Sequence, residues 1–296
     1  MPALERLAQR YLPPPLARGA KQVAVYPRYW WQARKCRHSY QQFHHHYPQP
    51  ILFVAGLPKS GTTWLERMLA SYPGFHPLLI PEAAAYELRH GGSDDYDLPP
   101  NFFHRFRQML VLTKMHVHGS PHNARLLQNA GLKYVVLYRD LRDVAVSYTF
   151  YVRQTPWHPD YPHYRALTVA EGLARFARER LPAYANWVRS WQANGDPQLC
   201  LFIRYEDMLV DTPGVMRQVA DHFGLDAGNA TISAIVNQHQ FARLRQRAET
   251  TAQTGFYRKG ISGDWQNCFT PDLVANFKSQ IGEFLITLGY EPDLSW

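Results

Sequence analysis

Eight residues, Gly56-Leu-Pro-Lys-Ser-Gly-Thr-Thr63, stand between a continuous apolar run at 51–55 and an apolar helical pattern over 62–71. A strand that passes through a glycine-rich turn into a helix aims free backbone N–H groups and the positive helix end at one point, so the turn is an anion cradle. It also constrains the fold. The runs at 111–115, 134–138 and 199–204 are mainly apolar and read as further buried strands. Helical stretches lie between them. Thr168 and Glu171 form a capping box ahead of a helix expected over 171–191. Thr212-Pro213 opens a helix running to about Phe223 and closed by Gly224, and Thr270-Pro271 opens a last one toward Leu288, closed by Gly289. Strands alternating with helices predict an α/β fold, a P-loop-type parallel β-sheet flanked by helices. We expect a single domain over 49–296, preceded by a basic N-terminal extension over 1–48. Segments 91–101, 155–167 and 249–269 read as long loops, which are uncommon unless functional.

Composition narrows the class. The 296 residues are 46% hydrophobic and 19% charged, enough apolar material for a core and too little polarity for disorder. No apolar run approaches the roughly 18 residues that span a bilayer, and the N-terminus lacks the apolar core of a secretion signal. Three cysteines, Cys36, Cys200 and Cys268, include no CxxC pair. A disulfide framework or thiolate metal site is therefore not expected, and a reducing, cytoplasmic setting is. The net charge of +8 suggests a nucleic-acid partner until it is located. Residues 1–50 hold eight Lys/Arg against Glu5 alone, and the remaining body is nearly neutral.

The cradle departs from the nucleoside-triphosphate pattern GxxxxGK[ST] in one informative way. Gly56, Gly61 and Thr63 fit it, but Thr62 occupies the lysine position and Lys59 sits three residues earlier, on the crest of the loop. A lysine there meets a different part of the ligand. Residues 57–64, Leu-Pro-Lys-Ser-Gly-Thr-Thr-Trp, resemble the 5′-phosphosulfate loop of the cytosolic-type sulfotransferases, which use 3′-phosphoadenosine 5′-phosphosulfate (PAPS). Tyr138-Arg-Asp-Leu-Arg-Asp-Val-Ala-Val-Ser-Tyr148 resembles the family's 3′-phosphate block, and Arg258-Lys-Gly-Ile-Ser-Gly-Asp-Trp265 its C-terminal RKGxxGDW block. Tyr205-Glu-Asp-Met208 also agrees, and the blocks occur in the family's order across roughly residues 49–290.

The resemblance implies a PAPS-dependent sulfotransferase that releases adenosine 3′,5′-bisphosphate (PAP) and requires no metal. Lys59, Ser60, Gly61, Thr62 and Thr63 would hold the 5′-phosphosulfate, and Arg139, Ser147, Arg258, Lys259 and Gly260 the 3′-phosphate. Trp64, Tyr205 and Phe241 would face the adenine, although the residues around Phe241 depart from the family's HTSF pattern. In-line transfer also needs a base for the acceptor and cations for the leaving oxygen. His116 follows a strand in Thr113-Lys-Met-His116, similar to the family's KTH sequence with Met115 for threonine. An imidazole titrates near neutrality and can take a hydroxyl proton. Lys114 would meet a sulfuryl oxygen, and Lys59 the leaving oxygen. His118 and Glu82 are rival bases. The usual dimer segment KxxxTVxxxE is not matched, because Gln266, Pro271 and Ala275 replace its lysine, valine and glutamate while Thr270 survives.

Two other classes remain open: a P-loop nucleotide kinase and a non-catalytic binder of the bisphosphate. For the acceptor, aromatics in the long loops (Tyr86, Tyr96, Phe102, Phe103, Trp157, Tyr161, Tyr164) suggest a pocket for a small apolar or lipid-like alcohol. The arm over 18–46 interleaves cations with Tyr26, Tyr29, Trp30, Trp31, Tyr40 and Phe43, with Tyr47 just beyond, and Pro13–Pro15 would separate it from a short helix over 3–11. That composition suits peripheral contact with an anionic membrane. The alternatives are an extension packed on the domain with a solvated charged face, and nucleic-acid contact, for which no recognised motif is present.

Overall fold

The computed structural model describes residues 13–92, 94–240 and 260–296. Five strands form one parallel sheet: β1 (Ile51–Gly56), β2 (His76–Pro77), β3 (Val111–Met115), β4 (Tyr134–Tyr138) and β5 (Cys200–Arg204), in the order β2-β3-β1-β4-β5. The register pairs Ile51 with Val111 and Phe53 with Tyr134, and Tyr134 in turn with Cys200. Every residue of β1 and β4 is buried, as their unbroken apolar runs require. The chain fills the β3 side of β1 first and then crosses to β4. The carboxyl ends of β1, β3, β4 and β5 therefore open on one crevice above the central strand, where α/β sheets bind ligands.

Helices cover both faces. On one, α1 (Thr62–Leu69), α2 (Tyr205–Val210), α3 (Thr212–Phe223) and α4 (Asn229–Gln238) enclose a cluster built on Leu52, Val54, Val135 and Leu137. On the other, α5 (Pro81–His90), α6 (Leu141–Arg153), α7 (Val169–Glu179), α8 (Leu181–Asn194) and α9 (Pro271–Thr287) enclose Phe53, Val136, Tyr148, Trp187 and Trp191. The expected starts hold: Thr168 and Glu171 make the capping box, Thr270 accepts from the Leu273 N–H, and Gly224 and Gly289 adopt the positive φ of a helix stop. The single helix expected over 171–191 is instead two. Arg180 leaves helical geometry at φ −120°, and Pro182, which cannot donate to the preceding turn, starts α8. The segment 155–167 contains a single helical turn, Tyr161–Tyr164.

The basic arm forms a 30-residue helix, α10 in our labelling (Pro14–Phe43). Its inner face joins the body. Val25, Ala33 and Cys36 are buried, Gln32 accepts from the Leu79 N–H at 2.9 Å, and the Leu110 N–H donates to the Cys36 carbonyl at 3.1 Å. Of its aromatics, Tyr29, Tyr40 and Phe43 pack on the core, as does Tyr47 just beyond the helix, whereas Tyr26, Trp30 and Trp31 face outward. The helix expected over 3–11 lies outside the described residues, and among those described no helix is long and apolar enough to cross a membrane.

This docking has a stability consequence. Ala33 is fully buried, so Ala33→Asp places an unpaired carboxylate in the core and should cost about 3 kcal/mol or more. A thermal melt followed by circular dichroism should show a midpoint lower by several degrees; an unchanged midpoint would mean that the helix is not docked.

Candidate active site

The loop after β1 is tied down at both ends. The Leu57 N–H donates to the Leu137 carbonyl of β4 at 2.8 Å, and the Trp64 N–H turns back to Gly61 at 2.8 Å. Thr62 and Thr63, the first residues of α1, have no carbonyl a turn earlier to accept their N–H groups. Two residues take left-handed backbone, Lys59 at φ 69° and Gly61 at φ 82°. For lysine that conformation costs about 1 kcal/mol, strain of the kind kept at ligand-binding positions. At Gly61 glycine is required twice over, because a Cβ would also lie 2.5 Å from the Tyr205 ring.

The cleft above this loop has a volume of about 370 Å3 and is lined by most of the residues expected from the sequence: Lys59, Gly61, Thr62, Thr63, Trp64, Lys114, His116, Arg139, Ser147, Tyr205 and Gly260. Phe241, Arg258 and Lys259 lie outside the described residues. Ser60 is buried behind the loop, and its Oγ has no hydrogen-bond partner among the described residues; Arg139 Nε makes no hydrogen bond there either and lies 4.0 Å from Glu206. Buried donors converging on a helix N-terminus suit a phosphate-bearing ligand.

Lys59 carries the clearest electrostatic signature. Its Nζ lies 3.9 Å from the centre of the Tyr151 ring. Burial, together with the Arg139 and Lys114 charges, lowers its pKa to about 7. Lys114 donates to Thr63 Oγ1 at 2.5 Å and pairs with Glu66 at 3.7 Å. His116 Nδ1 donates to the Gly56 carbonyl at 2.5 Å, which assigns the ring proton to Nδ1 and leaves Nε2 as an acceptor. Trp187 and Trp191 of α8 fix the segment that carries His116, donating to the carbonyls of His116 at 2.8 Å and Val117 at 3.1 Å. The rival bases point elsewhere. Glu82 pairs with Arg105 at 3.0 Å and His118 with Asp97 at 3.1 Å, and neither lines the cleft.

Arg139, at the carboxyl end of β4, binds the Ile261 carbonyl at 2.8 Å and Asp143 at 3.3 Å, and its guanidinium lies 4.4 Å over the Tyr205 ring. Asp143 in turn accepts from the N–H groups of Gly263 and Trp265. The C-terminal block is thereby fastened beside the loop. Trp64 meets Tyr205 edge-on at 6.4 Å, so both aromatics are cleft wall and packing at once.

The other end of the cleft corrects one expectation. Of the seven loop aromatics expected there, only Trp157 lines it; Phe102, Phe103 and Tyr164 are buried in the core. The walls are instead Val25, Leu79, Ala84, Leu88, Tyr148 and Tyr151, with His158 and Arg28 among the polar groups. Burial lowers the His158 pKa to about 4, so it stands as a neutral ring. Tyr148 and Tyr151 lie one and four residues after Ser147 on one helix, and the second spacing puts Tyr151 on the face of that donor residue. Val25 and Arg28 had no such signal, since only docking of the N-terminal helix brings them in.

Comparison with known proteins agrees with the geometry. A family model described as the sulfotransferase domain matches residues 49–289. The chain is 26% identical over 253 residues to sulfotransferase 1E1 of Cavia porcellus, covering 76% of this chain and 80% of that one. It is also 26% identical to flavonol 3-sulfotransferase of Flaveria bidentis over 280 residues, covering 80% and 82%. Among solved structures, mouse sulfotransferase SULT7A1 complexed with PAP superposes with a TM-score of 0.63 at 21% identity, over 86% of this chain and 90% of that one. Retinol dehydratase in complex with androsterone and the inactive cofactor PAP gives 0.53 at 20% identity, over 84% and 85%. A phosphate cradle with its lysine on the crest, a strand-end arginine and a matching domain over most of the length lead to one conclusion: the chain belongs to the sulfotransferase-domain family and is a sulfotransferase.

Proposed function

We propose that the protein transfers the sulfuryl group of PAPS to the hydroxyl of a small apolar or lipid-like acceptor, in a cytoplasmic setting and without a metal. The observation that carries this reading is the pairing of His116, its Nε2 left as an acceptor, with Lys59 in one cleft. The donor supplies a sulfur whose bond to the 5′-phosphate oxygen breaks as a bond to the acceptor oxygen forms. His116 Nε2 takes the acceptor's proton as that bond develops. Lys59 and the N–H groups at the start of α1 meet the charge left on the phosphate oxygen. Arg139, Ser147 and Gly260 select the donor through its 3′-phosphate, with Arg258 and Lys259 assigned to the same role by their motif. Lys114 reaches a sulfuryl oxygen by exchanging its bond to Thr63. The wall of Val25, Leu79, Ala84, Leu88 and Tyr151 favours an apolar acceptor body, and Trp157 adds an aromatic surface. All three cysteines lack disulfide partners, in keeping with a reducing compartment.

Calorimetric titration with PAP should show binding that needs the 3′-phosphate and is unchanged by magnesium or chelator. Binding of ATP with magnesium in its place would return the protein to the kinase class. His116→Ala should abolish turnover, by about a thousandfold or more, with bisphosphate affinity held within a few fold. Arg139→Ala should instead weaken that affinity by about a hundredfold, the scale of a buried charge-assisted contact. Equal loss of affinity in the two variants would remove His116 from the role of base.

Lys59 predicts a pH signature. With its pKa near 7 in the free protein, it is mostly neutral at pH 8. A bound phosphate favours the charged form and raises that pKa, so binding at pH 8 should take up a proton, and affinity should fall as pH rises above 7. Titrations in two buffers of different ionisation enthalpy measure the uptake. Lys59→Arg, which stays charged, should abolish it; an unchanged uptake would assign the proton to another group.

A further inference from the structure

We propose that the outward face of the N-terminal helix α10 docks on an anionic lipid surface and holds the mouth of the reaction cleft against it. The face is defined by helical geometry. Val23, Tyr26, Trp30, Arg34 and Arg37 recur at intervals of three, four and seven residues, on the side opposite the buried Val25, Gln32 and Cys36. Val23 is 75% exposed, Tyr26 55%, Trp30 62% and Trp31 59%, a cluster of large apolar side chains that the domain leaves uncovered.

Charge identifies the partner. Between Glu5 and Glu66 the sequence has no acidic residue, and Arg34, Lys35 and Arg37 are all exposed on this helix. A protein surface of mixed charge finds no complement to such a face, whereas a sheet of lipid phosphates does. Tryptophan and tyrosine interleaved with cations match the boundary layer of a bilayer, where the rings enter the acyl edge and the long cationic side chains reach headgroups. Trp31, Arg34, Lys35 and His38 also line a groove on this helix, with the Lys35 ammonium 3.8 Å from the Trp31 ring centre, so that cations and an aromatic face meet at one place on the surface.

Position gives the contact a purpose. Arg28, three and seven residues before the exposed Trp31 and Lys35 on the same helix, lines the reaction cleft together with Val25 of the buried face. A protein resting on its N-terminal helix therefore opens its acceptor site next to the lipid, from which an apolar alcohol can enter without crossing water. The docking itself does not rest on the sulfuryl-transfer reading, since it is read without substrate.

Sedimentation of the full chain with phosphatidylcholine vesicles, with and without about one third phosphatidylserine, tests it. We expect binding to the anionic vesicles only, falling steeply with salt. The triple variant R34Q/K35Q/R37Q should lose about a hundredfold in partitioning, the product of three headgroup contacts, and W30A/W31A should lose binding even at low salt. Both change exposed residues, and an unaltered thermal melt together with unaltered PAP affinity will show that fold and donor site are intact. The proposal is overturned if either variant binds vesicles as the parent does, or if the parent ignores anionic lipid. Concentration-dependent self-association removed by W30A/W31A, or binding of duplex DNA in place of vesicles, would likewise overturn it and assign the face to a second copy or to nucleic acid.

Discussion

The buried carboxylate of Asp143 joins parts of the chain that are more than a hundred residues apart. It receives the N–H groups of Gly263 at 2.8 Å and Trp265 at 3.0 Å, and the guanidinium of Arg139 at 3.3 Å. Burial raises its pKa, and Arg139 and the two N–H groups oppose that shift. Without the carboxylate, two backbone donors and a cation would be stranded in the interior, so the cluster holds as a unit. Beside it, Arg142 binds Asp140 at 2.6 Å and Glu291 at 2.5 Å, and lies against the Trp265 and Trp296 rings. The end of β4, the start of α6 and the C-terminal block meet here. The Arg139 side of the cleft takes its shape from that meeting.

The other end of the cleft depends on restraint of a different kind. Lys59 sits on left-handed backbone close to the Arg139 and Lys114 charges, and a bound anion offsets that crowding of cations. His116 is oriented by a backbone carbonyl on one side and by the tryptophans of α8 beneath it. No loop has to move to bring the two groups into the same cleft. Preorganised groups of this sort act without reorganisation when charge develops. The N-terminal helix completes the cleft from outside the matched domain, contributing Val25 and Arg28 to its wall.

Much of this was legible in the residues. Strands buried on both faces are apolar without interruption, so β1 and β4 could be read directly; β3 and the edge strand β5, mainly apolar, carried the same signal more weakly, and the cradle's glycines marked the turn between β1 and α1. Caps are local, and those at Thr168, Thr270 and Gly224 stood where they were expected. The helix over 171–191 was misread because its apolar periodicity runs on through the break at Arg180 and Pro182. The aromatic lining of the cleft was misread for a different reason. Aromatic composition cannot tell a ring that lines a cavity from one that fills a core, and Phe102, Phe103 and Tyr164 fill the core.

The sequence alone determined the parallel α/β architecture, the anion cradle with its displaced lysine, and the residues that accompany them, because these depend on short-range patterns of apolarity, glycine and charge. Tertiary structure decided that His116 and not His118 faces the cleft, which aromatics wall it, and that the N-terminal helix is part of it. Each of those is a meeting of segments distant in the chain: Gly56 with His116, α8 with the end of β3, and α10 with α5. Periodicity says which face of an element is buried, but not against what. That choice is made by the packing of the whole core, where His116 finds its carbonyl and Glu82 is drawn to Arg105.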